Sequence, residues 1–326
     1  MQHNDWLHVN IGGVDIRFRS DLEEERNALA GTFRYHTVDT TPETAHRVTF
    51  EGTERRCVPG DARLVWKGVY HAVGHRGAHD NDLMKYVSPD GQTEYYETAD
   101  GECVVTDLRT MHTRCMLRER RKFASRKRER AQIGSLLIPM LHVVMAYHDR
   151  YSLHAAAVEW KGRAVLFTGR SGQGKSTLST DLAALGTGFL GDDIVFLYRD
   201  GVQTRIASLL FEAKLFESSK KTKDFVDILA RHGGKPIQSL PLGAVCEVRQ
   251  TAEGPTDIIP AADEEALFQI ILRAANNVAM QYNRGEWLAT FGSVVSGYRL
   301  HTVNFGDRSL LDTKFLDRLA ETYPEA

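Results

Sequence analysis

The sequence predicts a mixed α/β protein in two parts: a smaller β-rich domain over residues 1–130 and a larger α/β domain over residues 131–326. Three observations predict it. The chain has 326 residues, about two domains at the usual ~150 residues each. Its first hundred or so residues read as short strands separated by turn residues, with no internal repeat. From Arg163 an apolar run, a glycine-rich loop and a helix-like segment follow one another directly.

Leu7 to Ile11 and Val14 to Arg19 flank Gly12-Gly13, a two-residue link that closes a tight hairpin. Val14, Ile16 and Phe18 alternate with polar residues, as on a strand with one buried face. Arg47 to Glu51, Leu64 to Val73, Leu83 to Val87 and Cys103 to Leu108 continue as strands, and Pro89-Asp90-Gly91 supplies a turn. Arg114 to Arg130 changes character, with nine basic residues against two acids, and marks the domain boundary. Such a run is either a solvated helix or linker, or a contact for nucleic-acid phosphates or an acidic partner. Aromatic interleaving is limited to Phe123, which favours the solvated reading. From Ile133, Leu136, Leu137, Met140, Leu141 and Val144 cluster on one side at helical spacing.

Arg163 to Thr168 is the apolar run, and Gly169-Arg170-Ser171-Gly172-Gln173-Gly174-Lys175-Ser176-Thr177 follows it before the helix-like Leu178 to Leu185. This is the phosphate-binding loop pattern in its strand, loop, helix context. Gly169, Gly172 and Gly174 let the backbone fold into a nest of N–H groups, and the helix adds its positive N-terminal end. Lys175 can reach the β- and γ-phosphates, and the Ser176 hydroxyl can ligate Mg²⁺. ATP and Mg²⁺ are therefore the expected cofactors.

A helix from Lys175 to Leu185 carries the chain about 16 Å away at ~1.5 Å per residue. The extended Thr187 to Gly191 returns it by roughly the same distance at ~3.3 Å each. Asp192-Asp193 thus arrives beside the loop, ahead of the apolar run Ile194 to Tyr198. Two adjacent carboxylates at a magnesium nucleotide have separate roles, one holding metal and one accepting the proton of an attacking hydroxyl. Gly191-Asp192-Asp193 is also good turn chemistry. Upstream, His154 lies in Tyr151 to Val158, fifteen residues before Gly169. Cations to face the transferring phosphate have candidates in Arg170, Lys214, Lys220, Lys221 and Arg273. His71, His75 and His79 share helical spacing, but Gly74 and Gly77 interrupt any helix, so no metal site is expected there. Asp263 to Ala275, with Leu267, Ile270, Ile271 and Ala274, and the stripe Leu311, Phe315, Leu319 read as core-packing helices.

Composition excludes the unusual classes. Hydrophobic residues are 42% and charged residues 26% of the chain, as in an ordinary globular protein. The net charge of -2, from 41 Lys plus Arg against 43 Asp plus Glu, gives no global drive toward nucleic acid or an anionic membrane. The four cysteines form no Cys-x-x-Cys pair, which argues against structural zinc and a disulfide framework and points to a cytoplasmic protein. The N-terminus lacks the pattern of a signal peptide. Ile133 to Tyr147, interrupted by Pro139 and His142, is shorter than the ~20 residues of a membrane span.

Leu153-His154-Ala155, the loop Gly169 to Thr177, and Gly191-Asp192-Asp193, at these intervals, resemble the catalytic core of the HPr kinase/phosphorylase family and its HPr-kinase-like relatives. The shared stretch runs from Ser152 to Leu197. The resemblance implies a fold like phosphoenolpyruvate carboxykinase, a mixed sheet with a phosphate loop, attached to a distinct N-terminal domain. It also implies His154 near the transferring phosphate, Lys175 on the phosphates, Ser176 on the metal, and Asp192 and Asp193 divided between general base and metal. In layout the chain is more similar to relatives found beside peptide-modification genes, including lasso-peptide precursor kinases. It departs from the bifunctional enzymes where their Arg-Gly-x-Gly signature belongs: Ser208 to Phe216 reads Ser-Leu-Leu-Phe-Glu-Ala-Lys-Leu-Phe. HPr as substrate and the reverse phosphorylase reaction are therefore not implied.

The expected function is an ATP-dependent kinase that transfers the γ-phosphoryl group to a Ser hydroxyl of a protein or peptide, with an Asp as base. Two alternatives stand beside it: a small-molecule or RNA hydroxyl as acceptor, supported only by Arg114 to Arg130, and a non-enzymatic module that binds ATP as a signal. A membrane partner is not expected.

Overall fold

The computed structural model describes residues 6–21, 23–53, 57–70, 81–99, 101–118, 126–216, 223–251, 253–260, 264–275 and 284–324. The protein has a mixed α/β fold with mixed sheets. Its described chain divides into two compact units, the first reaching His148 and the second starting at Asp149.

The first unit contains β1 (Leu7–Ile11), β2 (Val14–Ser20), α1 (Glu23–Thr32), β3 (His46–Thr53), β4 (Arg63–Tyr70), β5 (Asn81–Val87), β6 (Thr93–Thr98), β7 (Cys103–Asp107), β8 (His112–Arg118) and α2 (Arg126–Tyr147). Its eight strands form one sheet in the order β1-β2-β3-β8-β7-β6-β5-β4. The predicted hairpin is present: Ile11 pairs with Val14, and Gly12 and Gly13 both have positive φ, as a primed two-residue turn requires. Sequence reading missed α1, β6 and β8. On β8, Thr113, Cys115 and Leu117 are buried while Arg114 is exposed, so a period-two strand lies inside what composition marks as a basic run. On β6 alternation fails because Glu94 is buried with Lys85 of β5 as an ion pair at 2.8 Å. The hydroxyls of Tyr147 and Tyr96 donate to the same carboxylate at 2.7 and 3.2 Å.

The basic run thus splits between β8 and the start of α2, and its middle, residues 119–125, lies outside the described residues. Helix α2 runs on through Pro139, buries Leu136 to Tyr147 and belongs to the first unit, so the compact units divide at His148 rather than near residue 130. No described helix is long and apolar enough to cross a membrane. None of the four cysteines is in a disulfide. His71, His75 and His79 lie outside the described residues, and no group of three metal-ligating side chains occurs among the described ones.

The second unit contains β9 (Tyr151–Leu153), β10 (Ala156–Trp160), β11 (Arg163–Thr168), α3 (Lys175–Ala184), β12 (Gly188–Gly191), β13 (Val195–Asp200), β14 (Gln203–Ser208), β15 (Glu212–Phe216), β16 (Lys223–Asp227), α4 (Ile228–His232), β17 (Ser239–Gln250), β18 (Asp257–Pro260), α5 (Glu264–Ala274), α6 (Arg284–Gly297), β19 (Leu300–Phe305) and α7 (Lys314–Ala320). The main sheet runs β12-β10-β11-β17-β14-β13-β9, with β19 also paired to β17. β11, β17 and β19 are mutually parallel, and the other pairings are antiparallel. Strand β17 is long enough to pair β14 with its first residues and β11 with its later ones.

Both faces of the sheet are covered. Leu178 and Leu182 of α3 and Phe315, Leu316 and Leu319 of α7 pack on one core; Ile270, Ile271 and Ala274 of α5 and Phe291 and Val294 of α6 pack on the other. The two helices expected near Asp263 and Phe315 are therefore present as α5 and α7. A strand covered on both faces reads as a continuous apolar run, and the fully buried Ala164 to Phe167 of β11 is one.

Candidate active site

Strand β11 ends at Thr168, whose hydroxyl donates to the Cys246 carbonyl of β17 at 3.3 Å. Gly169 follows with φ 128°, and a Cβ there would sit 2.9 Å from the Val248 carbonyl oxygen. Gly174, just ahead of α3, has φ 92° and faces the Phe305 ring, which a Cβ would meet at 2.7 Å. Both positions need glycine for conformation and for space. The first N–H groups of α3 have no carbonyl one turn back, so they line the loop as donors. Lys175 is buried, and its ammonium donates to the Gly169 and Arg170 carbonyls at 2.8 and 3.3 Å. Gln173 accepts the Gln250 backbone N–H at 3.1 Å, which ties the loop to the end of β17. Arg170, Ser171 and Gly172 are exposed, and Ser176 and Thr177 are half-buried.

Register brings the remaining predicted residues to the same end of the sheet. Ala156 pairs with Phe167, so His154, two residues before Ala156, and Gly169, two residues after Phe167, flank the same end of the β10–β11 pair. Ala157 pairs with Gly191, so Asp192 leaves β12 at that end as well. The links β9 to β10 and β12 to β13 run side by side, because Leu153 also pairs with Val195. His154 and Asp193 meet there, Nδ1 to Oδ1 at 3.8 Å, with side chains 49% and 25% exposed. Asp193 takes a left-handed φ of 65°, and the Ile194 N–H donates to the Asp192 carbonyl at 2.8 Å. This tight turn sends the Asp192 side chain inward, 2% exposed, and the Asp193 side chain outward. The His154 N–H is held by the Ala274 carbonyl at 2.6 Å.

The carboxylates of Asp192 and Asp193 and the hydroxyl of Ser176 are oxygen donors of the class Mg²⁺ takes, and the loop N–H groups are donors of the class phosphate takes. Of the candidate cations, Arg273 is exposed on the last turn of α5, Lys214 lies on β15, and Lys220 and Lys221 lie outside the described residues. Sequence reading missed Glu247 and Arg249 at the end of β17. Nothing in the local sequence marks them; only the pairing of Glu247 with Thr168 brings them to the loop.

Curated relatives match part of the chain. The HPr kinase/phosphorylase of Acidovorax sp. (strain JS42) is 38% identical over 81 residues, 22% of this chain and 26% of that protein. The chain contains an HPr kinase/phosphorylase-like segment. The HPr kinase/phosphorylase of Variovorax paradoxus (strain S110) is 32% identical to it over 103 residues, 31% of this chain and 30% of that protein. That of Pelodictyon phaeoclathratiforme is 42% identical over 57 residues, 16% of this chain and 17% of that protein. The chain thus spans about a quarter of the length of the first of these relatives. Among solved structures, the Hpr(Ser) kinase/phosphatase from Coxiella burnetii aligns with a TM-score of 0.32 and 14% identity, covering 52% of this chain and 93% of that one. No family model matches the chain.

Proposed function

We propose that the second unit is an ATP-dependent kinase that transfers the γ-phosphoryl group to a hydroxyl, a Ser of a protein or peptide. The observation that carries this reading is the convergence of the Gly169–Lys175 loop, His154 and Asp192-Asp193 at one end of three paired strands. The HPr kinase/phosphorylase-like segment supports the reaction class. The seryl acceptor follows from the resemblance of the motifs.

In this reading the loop N–H groups and the α3 N-terminus cradle the phosphates, and Lys175 turns from the Gly169 and Arg170 carbonyls to the transferring phosphate. Ser176 and the inward Asp192 would hold Mg²⁺, which when bound would supply neutralisation of the phosphate charge. The outward Asp193 accepts the acceptor hydroxyl's proton, because a base must reach its proton and Asp193 is the more exposed of the pair. His154 orients Asp193 and stands near the developing charge.

Purified protein incubated with labelled ATP, Mg²⁺ and an extract of its source cells is expected to label a seryl group on one acceptor. Lys175→Ala and Asp193→Asn are each expected to abolish that label while circular dichroism stays that of the wild type. Undiminished transfer by either folded variant overturns the assignment.

A further inference from the structure

Strand β17 carries a feature the motifs do not include. Leu242, Ala244, Val245 and Cys246 are all buried, and the strand becomes charged at Glu247. It lies parallel to β11 and next to it, and Glu247 pairs with Thr168, the residue before the loop. The Glu247 side chain runs against Gly169, its Cγ 3.8 Å from where a Cβ would be, and the Gly169 carbonyl is one of the two that hold Lys175. An acid near the end of an apolar strand, on the strand next to the loop strand, resembles in placement the acid that helps hold Mg²⁺ in phosphate-loop enzymes. The Asp192-Asp193 pair follows β12, which pairs with β10 and not with the loop strand β11, so it does not occupy that position.

The electrostatics fit. Nε and Nη2 of Arg249 both donate to one oxygen of Glu247, Oε2, at 2.9 and 2.6 Å. This ion pair holds the carboxylate in place through Oε2, and the second oxygen, Oε1, takes no part in it. Glu247 is 19% and Arg249 61% exposed, so the carboxylate is the inner member and the guanidinium the rim.

Resting on the kinase reading above, we propose that Glu247 is a third carboxylate of the magnesium site, a positioning residue that orients the water shell of the Mg²⁺ held by Ser176 and Asp192. Its readout is the metal requirement of nucleotide binding, which a merely structural ion pair would not move. The full chain is titrated with Mg²⁺ in the presence of a fluorescent methylanthraniloyl-ATP, and its binding is also measured in excess chelator.

Glu247→Gln is expected to need about 10- to 100-fold more Mg²⁺ for half-maximal binding, the usual cost of losing an outer-shell partner, with chelator-state binding unchanged. Arg249→Gln removes the exposed ion pair but keeps the carboxylate, so it is expected to shift the requirement by less than about threefold. A Glu247→Gln variant that needs no more Mg²⁺ than the wild type overturns the proposal, and so does an Arg249→Gln variant that reproduces the whole shift. A wild-type chain that binds no nucleotide overturns this proposal and the kinase reading together. Nucleotide binding with the expected Glu247→Gln shift, but no transfer to any acceptor, supports the proposal and overturns the kinase reading alone.

Discussion

Gly174 shows how a single residue can be required twice. Its φ of 92° is strained for any other residue, and the Phe305 ring fills the space a side chain would take. Gly174→Ala is therefore expected to cost about 1–3 kcal/mol and to weaken nucleotide binding by displacing the start of α3. Gly172 has a similar φ of 85° but nothing within 4 Å of a Cβ, so Gly172→Ala carries only the conformational term, about 1 kcal/mol. Urea unfolding of both variants checks the ordering, and equal losses would mean that Phe305 yields without cost. Glycine spacing made the loop legible in the sequence. The contact that makes Gly174 the stricter position was not, because Phe305 reaches it only through the pairing of β19 with β17.

Among the elements, β8 and β6 show what pattern reading loses. β8 is an interior strand between β3 and β7, and its alternation of Thr113, Cys115 and Leu117 was present in the sequence but outweighed by the surrounding arginines. β6 was illegible for a different reason: Glu94 looks like a solvent residue until Lys85, Tyr96 and Tyr147 surround it. Removing one member of a buried pair leaves a charge without its counter-ion. Lys85→Met is therefore expected to destabilise the protein by about 3–5 kcal/mol. The double variant Lys85→Met/Glu94→Gln, which keeps an acceptor for the two tyrosines, is expected to recover most of it, as a double-mutant cycle in urea would measure. A double variant no more stable than Lys85→Met would refute that account.

At the scale of the whole molecule, stability should depend on acid through two buried histidines. Burial, then the positive potential of His148, His112 and Arg47, pushes the pKa of His46 down from 6.5 to about 3, and burial alone pushes His142 down to about 3. Both are neutral when folded, and when unfolded they take up protons below their ordinary 6.5. Their contribution is therefore complete above pH 6.5 and is lost as pH falls toward 3, at about 1.4 kcal/mol per unit for each histidine. Urea unfolding at pH 7 and pH 5 is expected to differ by about 2 kcal/mol per histidine, and His142→Leu to remove its share; a difference unchanged in that variant would exclude His142 as a source. By itself the sequence determined the glycine loop with its strand and helix, the Gly12-Gly13 hairpin and the acidic pair, because each depends on residue types at short spacing. Only the tertiary structure decided that α2 joins the first unit, that His154 meets Asp193, and that Glu247 stands beside Gly169. Those relations rest on strand register between distant residues, and register is set by which faces are buried together, a quantity no short window of sequence contains.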